Sequence, residues 1–130
     1  TTLFRSRESE FDALPEKIEI TTVDQFLSES NLDAVDFLKI DTEGFDLRVL
    51  EGSIKSLKKG SIKLIYVECG LNKRNQYHVH FSEIFKFLDQ HDYVFLGFFQ
   101  TDLRKVSTRM HFSNALFAHG SILNQIRRNK

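Results

Sequence analysis

Two apolar runs, Phe37-Leu38-Lys39-Ile40 and Ile62 to Cys69, bracket a stretch whose apolar residues keep helical spacing. That stretch carries Phe45, Val49, Leu50, Ile54 and Leu57 on one stripe, with Asp46 early and Lys55, Lys58 and Lys59 late. An acid in the first turn and bases in the last suit the helix dipole, and Gly60 supplies the stop. Strand, helix and strand in this order predict parallel strands joined by a crossover, which confines the chain to the α/β class.

The remaining segments extend the pattern. Lys17 to Val23 alternates as a strand, and Asp24 offers an N-cap for a short helix through Leu27. A polar loop from Leu71 to His80 precedes an amphipathic helix built on Phe81, Ile84, Phe85 and Leu88. Tyr93 to Phe99 and Ser113 to Ala118 read as strands with no helix between them, so the sheet is expected to be mostly parallel with an antiparallel terminal hairpin. The tail from Ser121 is expected to fray, as are residues 1–16. With 130 residues and no internal repeat, the chain is expected to form one domain.

Composition narrows the functional classes. Eighteen basic and eighteen acidic residues cancel, which argues against a dedicated nucleic-acid binder and against an anchor on anionic membranes. No run reaches the roughly 20 apolar residues of a membrane span. Residues 1–10 are too polar for a signal peptide. The single cysteine, Cys69, excludes an internal disulfide and reads as a buried thiol, in keeping with a cytoplasmic location. Thr1 stands where an initiator methionine would, as expected of a segment from a longer chain.

Open parallel sheets bind ligands outside the carboxyl ends of their strands. Here one strand ends in Asp41-Thr42-Glu43-Gly44 and another in Glu68-Cys69-Gly70, so neighbouring strands would gather three carboxylates at one crevice. Asp41 or Thr42 also fits as a helix cap, and Glu43 as an acid at a positive helix end. Glu68 follows Leu64-Ile65-Tyr66-Val67 and needs a partner, because a lone buried charge is costly; Lys39 is the candidate for a structural ion pair. Lys39 also lies one pleat from Asp41 on the same strand face, where it can tune that carboxylate.

The stretch Val35 to Gly44, the later Val49-Leu50-Glu51-Gly52 and Tyr66-Val67-Glu68 resemble the FkbM-type methyltransferase family. Thr21-Thr22-Val23-Asp24 resembles the family's threonine-leucine-aspartate step, with valine for leucine, and the likeness runs from about Ile18 to Leu96. The resemblance implies a class I, Rossmann-like fold, S-adenosylmethionine as cofactor, and the C-terminal portion of such a domain. It also implies methyl transfer to a hydroxyl of a small molecule, glycan or lipid. Asp41 would line the methionine end of the donor with Lys39 beside it, while Glu43 or Glu68 would orient or deprotonate the acceptor. The departure is the glycine-rich first turn: glycines stand at 44, 52, 60, 70, 97 and 120, never as G-x-G. The acid expected to bind the ribose is missing too, so the chain alone is expected to be inactive.

Two other readings stay open. Asp41, Glu43 and Glu68 would suit Mg²⁺ in a metal-dependent hydrolase. His78 and His80 share a face if extended, but as loop histidines they are assigned no metal. Alternatively, the chain is a silent α/β module that pairs with a second copy along an exposed sheet edge. Arg104, Lys105 and Arg109 read as a solvated basic turn.

Overall fold

The computed structural model describes residues 17–101 and 110–128. The expected loose segment 1–16 and the basic turn at 104–109 lie outside these residues. Four strands form one sheet: β1 (Val35–Ile40), β2 (Ile62–Gly70), β3 (Tyr93–Phe99) and β4 (Phe112–His119), in the order β1-β2-β4-β3. The helices are α1 (Val23–Glu29), α2 (Asp46–Glu51), α3 (Ile54–Lys59), α4 (Phe81–Asp89) and α5 (Gly120–Arg128).

The pairing corrects the expectation of a mostly parallel sheet. Only β1 and β2 pair in parallel, while β4 pairs antiparallel with both β2 and β3. The cause is where β4 inserts. The crossover through α4 carries β3 past the position beside β2, and β4 fills that gap in the opposite direction. Strands β1, β2 and β3 therefore point the same way, but every contact of the reversed strand is antiparallel. The antiparallel terminal hairpin is present, with a bulge between Phe95 and Gly97.

Other boundaries also move. Residues 17–22 make no strand pairing; Thr22 instead caps α1 by accepting from the Gln25 backbone N–H at 3.1 Å. Asp24 sits in the first turn of α1 and does not cap it. From Gly120 the chain forms α5 where a frayed tail was expected.

The single helix expected from Phe45 to Leu57 breaks at Gly52 and Ser53 because α1 inserts there. The Asp24 N–H donates to the Gly52 carbonyl at 3.0 Å, the acceptor that an unbroken helix would offer to Ser56. The Asp24 carboxylate in turn accepts from the backbone N–H of Lys55 at 2.8 Å and of Ser56 at 3.0 Å. It also accepts from the Ser56 hydroxyl at 2.6 Å. One aspartate thus satisfies two of the orphan backbone donors of α3 from another helix. At the far end, Gly60 closes α3 in the left-handed conformation, with φ 67°.

One face of the sheet is packed. Register places Ile65 beside Phe117 and Val67 beside Ala115, and these join Leu50, Leu57, Ile84 and Leu88 in one buried cluster. Each Val, Leu, Ile or Phe among them contributes about 1.5–3 kcal/mol when fully buried. From α4, Phe81 packs edge-on against Phe95 and Phe98. The opposite face carries a row of rings, Phe37, Tyr66 and Phe99, with centroids 6.0 and 6.3 Å apart. Phe37 is 51% exposed and Phe99 47%.

Candidate functional site

The parallel register pairs Ile40 with Val67, so the chain leaves β1 at Asp41 beside Glu68. The two acidic strand ends are neighbours, as the sequence suggested. Lys39 pairs with Tyr66, and Glu68 with Asn114, which places Lys39, Tyr66, Glu68 and Asn114 on one face at the carboxyl edge.

The turn after β1 is held by Asp46. Its fully buried carboxylate accepts from the backbone N–H of Thr42 at 3.1 Å and of Gly44 at 3.2 Å. The turn is tight. Glu43 has φ 51°, a left-handed conformation that costs a non-glycine residue about 1 kcal/mol or more. Gly44 has φ 101°, and a β-carbon there would lie 2.7 Å from the Tyr77 carbonyl oxygen. Only glycine lets the loop after β1 approach the loop after β2 this closely.

That second loop is ordered by Asn75. Its side-chain oxygen accepts from the backbone N–H of Tyr77 at 2.8 Å and of His78 at 3.0 Å. Its amide nitrogen donates to the His111 carbonyl at 3.2 Å. The loop closes back on the sheet where the Gly70 N–H donates to the Val79 carbonyl at 2.8 Å.

His78 is thereby delivered to Glu68, its Nε2 lying 3.1 Å from Oε2. Both residues are buried, at 8% and 9% exposure. His78 also stacks on Phe112, with ring centroids 4.7 Å apart. Burial pushes the Glu68 carboxyl above the usual range; His78 opposes this, and the charges of Asp41, Glu43 and Asp46 add to it. Glu43, Glu68 and His78 bring one ligand atom each within 4.8 Å of one another. Beside them opens a recess of about 420 Å³, lined by Glu43, Phe45, Gln76 and Tyr77 among others.

Lys39 and Asp41 form a separate pair at 2.7 Å, with side chains 56% and 42% exposed. The hydrogen bond to Asp41 raises the Lys39 ammonium above its ordinary value. The expected Lys39–Glu68 pair is therefore replaced: Lys39 serves Asp41, and Glu68 takes His78. His80 departs from His78 to cap α4, its Nδ1 accepting from the Ser82 backbone N–H at 3.2 Å. Cys69 is buried, and burial pushes its thiol up to about 12, so it is inert as a nucleophile.

Asp46, Asn75 and His78 complete the site and carried little or no weight in the sequence reading. Asp46 had a signal, since it precedes the buried Leu50 by four residues and so shares its core-facing side. Asn75 had none, because an irregular loop has no periodicity to read, and His78 stood out only as a possible pair with His80, which the loop separates.

Residues 2–95 match the model of the methyltransferase FkbM domain. No curated protein and no solved structure matches the chain at a significant level.

Proposed function

The chain belongs to the FkbM methyltransferase domain family, and from that premise we propose S-adenosylmethionine-dependent methylation of an oxygen acceptor as its function. The observation that carries the reading is the pairing of Glu68 with His78 beside the Lys39–Asp41 pair at adjacent strand ends. The donor's methionine end bears an ammonium and a carboxylate, and Asp41 and Lys39 offer the complementary charges in an accessible position. When bound, the donor supplies a sulfonium methyl group for in-line displacement.

The chain's own residues orient and deprotonate. Glu68, held above the usual carboxyl range mainly by burial, is a stronger base than an exposed carboxylate and is suited to accept a proton from an acceptor hydroxyl. His78 is placed to steady the Glu68 carboxylate. Glu43, at the lip of the recess, is placed to accept a hydrogen bond from the same hydroxyl. The acceptor class is a hydroxyl of a small molecule, glycan or lipid. The strand order β1-β2-β4-β3 supports reading the segment as the C-terminal part of a class I domain. The sequence carries no G-x-G turn for the donor's nucleoside half, so the chain alone is expected to turn over poorly. A cytoplasmic location belongs to the same reading. The hydrolase alternative draws nothing from the family match.

Calorimetric titration with S-adenosylhomocysteine is the test. The expected result is saturable binding, weakened at least tenfold by Asp41→Asn. Absence of saturable binding, or equal binding by wild type and Asp41→Asn, overturns the cofactor assignment.

A further inference from the structure

We propose that Glu43, Glu68 and His78 form a site for one divalent first-row transition cation, in the series from Mn²⁺ to Zn²⁺. The inference stands apart from methyl transfer and holds or fails without it. It starts from geometry. Two ligands about 2.1 Å from a metal sit roughly 3.0 Å apart at right angles and 3.4 Å apart in a tetrahedron. His78 Nε2 and Glu68 Oε2 are 3.1 Å apart, within that window. Glu43 brings a third oxygen, all three atoms lying within 4.8 Å of one another, and its exposed side chain is free to close the remaining distance.

The imidazole is also set as metal-binding histidines are. Its Nδ1 lies 3.2 Å from the Asn75 side-chain oxygen and 3.0 Å from the amide nitrogen. With Nδ1–H donating to that oxygen, Nε2 would be free to bind a metal, and outer partners of this kind fix the tautomer a metal needs. The Asn75 oxygen is itself fixed by the backbone of Tyr77 and His78, outside the metal-binding trio. A cation would take the place of the direct Nε2–Oε2 contact.

Charge points the same way. Asp41, Glu43, Asp46 and Glu68 crowd this edge of the sheet, answered by Lys39 on Asp41 and by His78 on Glu68. One nitrogen with two carboxylates favours a borderline cation over Mg²⁺, which prefers an all-oxygen octahedron. Three protein ligands would leave coordination positions for water, and two of the three, Glu43 and His78, line the recess of about 420 Å³.

The experiment is an electron paramagnetic resonance titration of the untagged, chelator-treated chain with Mn²⁺ alone. The free-ion signal is expected to fall with a stoichiometry of one per chain, and Zn²⁺ is expected to restore it by competition. His78→Ala is expected to abolish the effect. Should that variant fail to fold, Glu43→Gln, altered at an exposed position, is expected to weaken Mn²⁺ at least tenfold while its metal-free thermal midpoint stays unchanged. An unattenuated signal with the wild-type chain overturns the proposal. Equal binding by wild type and Glu43→Gln overturns it as well.

Discussion

Glu68 is a carboxylate nine-tenths removed from water with one imidazole to answer it. Removing one partner of a buried pair leaves the other uncompensated, and the cost of that is about 3–5 kcal/mol. His78→Ala is therefore expected to lose most of that amount, measured by urea denaturation in the presence of chelator. Glu68→Gln is expected to lose only about 1 kcal/mol, because a neutral amide can accept from or donate to the imidazole nitrogen, whichever tautomer it adopts. If His78→Ala proves no more costly than Glu68→Gln, the pair is not the anchor described above. The need for a partner was legible in the sequence, since Glu68 ends an apolar run. The partner's identity was not. Lys39 was the nearest cation along the strand face, but Asp41 one pleat away captured it, and His78 arrived on a loop whose course depends on Asn75.

At the scale of elements, the break between α2 and α3 shows local propensity yielding to a tertiary contact. Of the apolar stripe from Phe45 to Leu57, Leu50 and Leu57 are fully buried as expected, while Phe45, at the cap of α2, is 46% exposed. The stripe gave no warning of the break, because a periodicity counts side chains while the break is made by backbone donors exchanged with Asp24. Asp24→Ala is expected to destabilise the fold by about 1–3 kcal/mol by stripping α3 of its acceptors.

Asp24 also predicts a pH dependence. Burial pushes its carboxyl up, but the hydrogen bonds from Ser56 and Lys55 outweigh this and hold it below the ordinary 3.8. A carboxyl lowered by folding stabilises the native state above its unfolded value, and that contribution vanishes as pH falls through the folded value. The difference in urea midpoint between wild type and Asp24→Asn is expected to be constant from about pH 7 to 5 and to shrink below about pH 4. A difference that widens on acidification would mean that the carboxylate is not the capping species.

For the whole molecule, the sheet's two faces have different fates. One packs against α2 and α4, and the other presents Phe37, Tyr66 and Phe99 in a row that no described element covers. The α/β class and the terminal hairpin were legible because strand periodicity, and a sequence between the last two strands without an apolar helical stripe, are local signals. Strand order was not, because no local signal says that β4 inserts between β2 and β3. Among the described residues β1 pairs only with β2, so its outer edge keeps free backbone donors and acceptors beside the exposed ring of Phe37. Such an edge is a template for another strand, and the Lys39 and Asp36 side chains blunt it only in part. A second copy pairing along β1 would satisfy the edge and shield Phe37 in both chains. Sedimentation velocity is therefore expected to show a monomer–dimer equilibrium that shifts with concentration. Phe37→Lys, which would set like charges against each other across a two-fold contact, is expected to drive it to monomer. If the wild-type chain stays monomeric from micromolar to millimolar concentration, β1 is not a pairing edge, and its exposed ring row must be shielded in some other way.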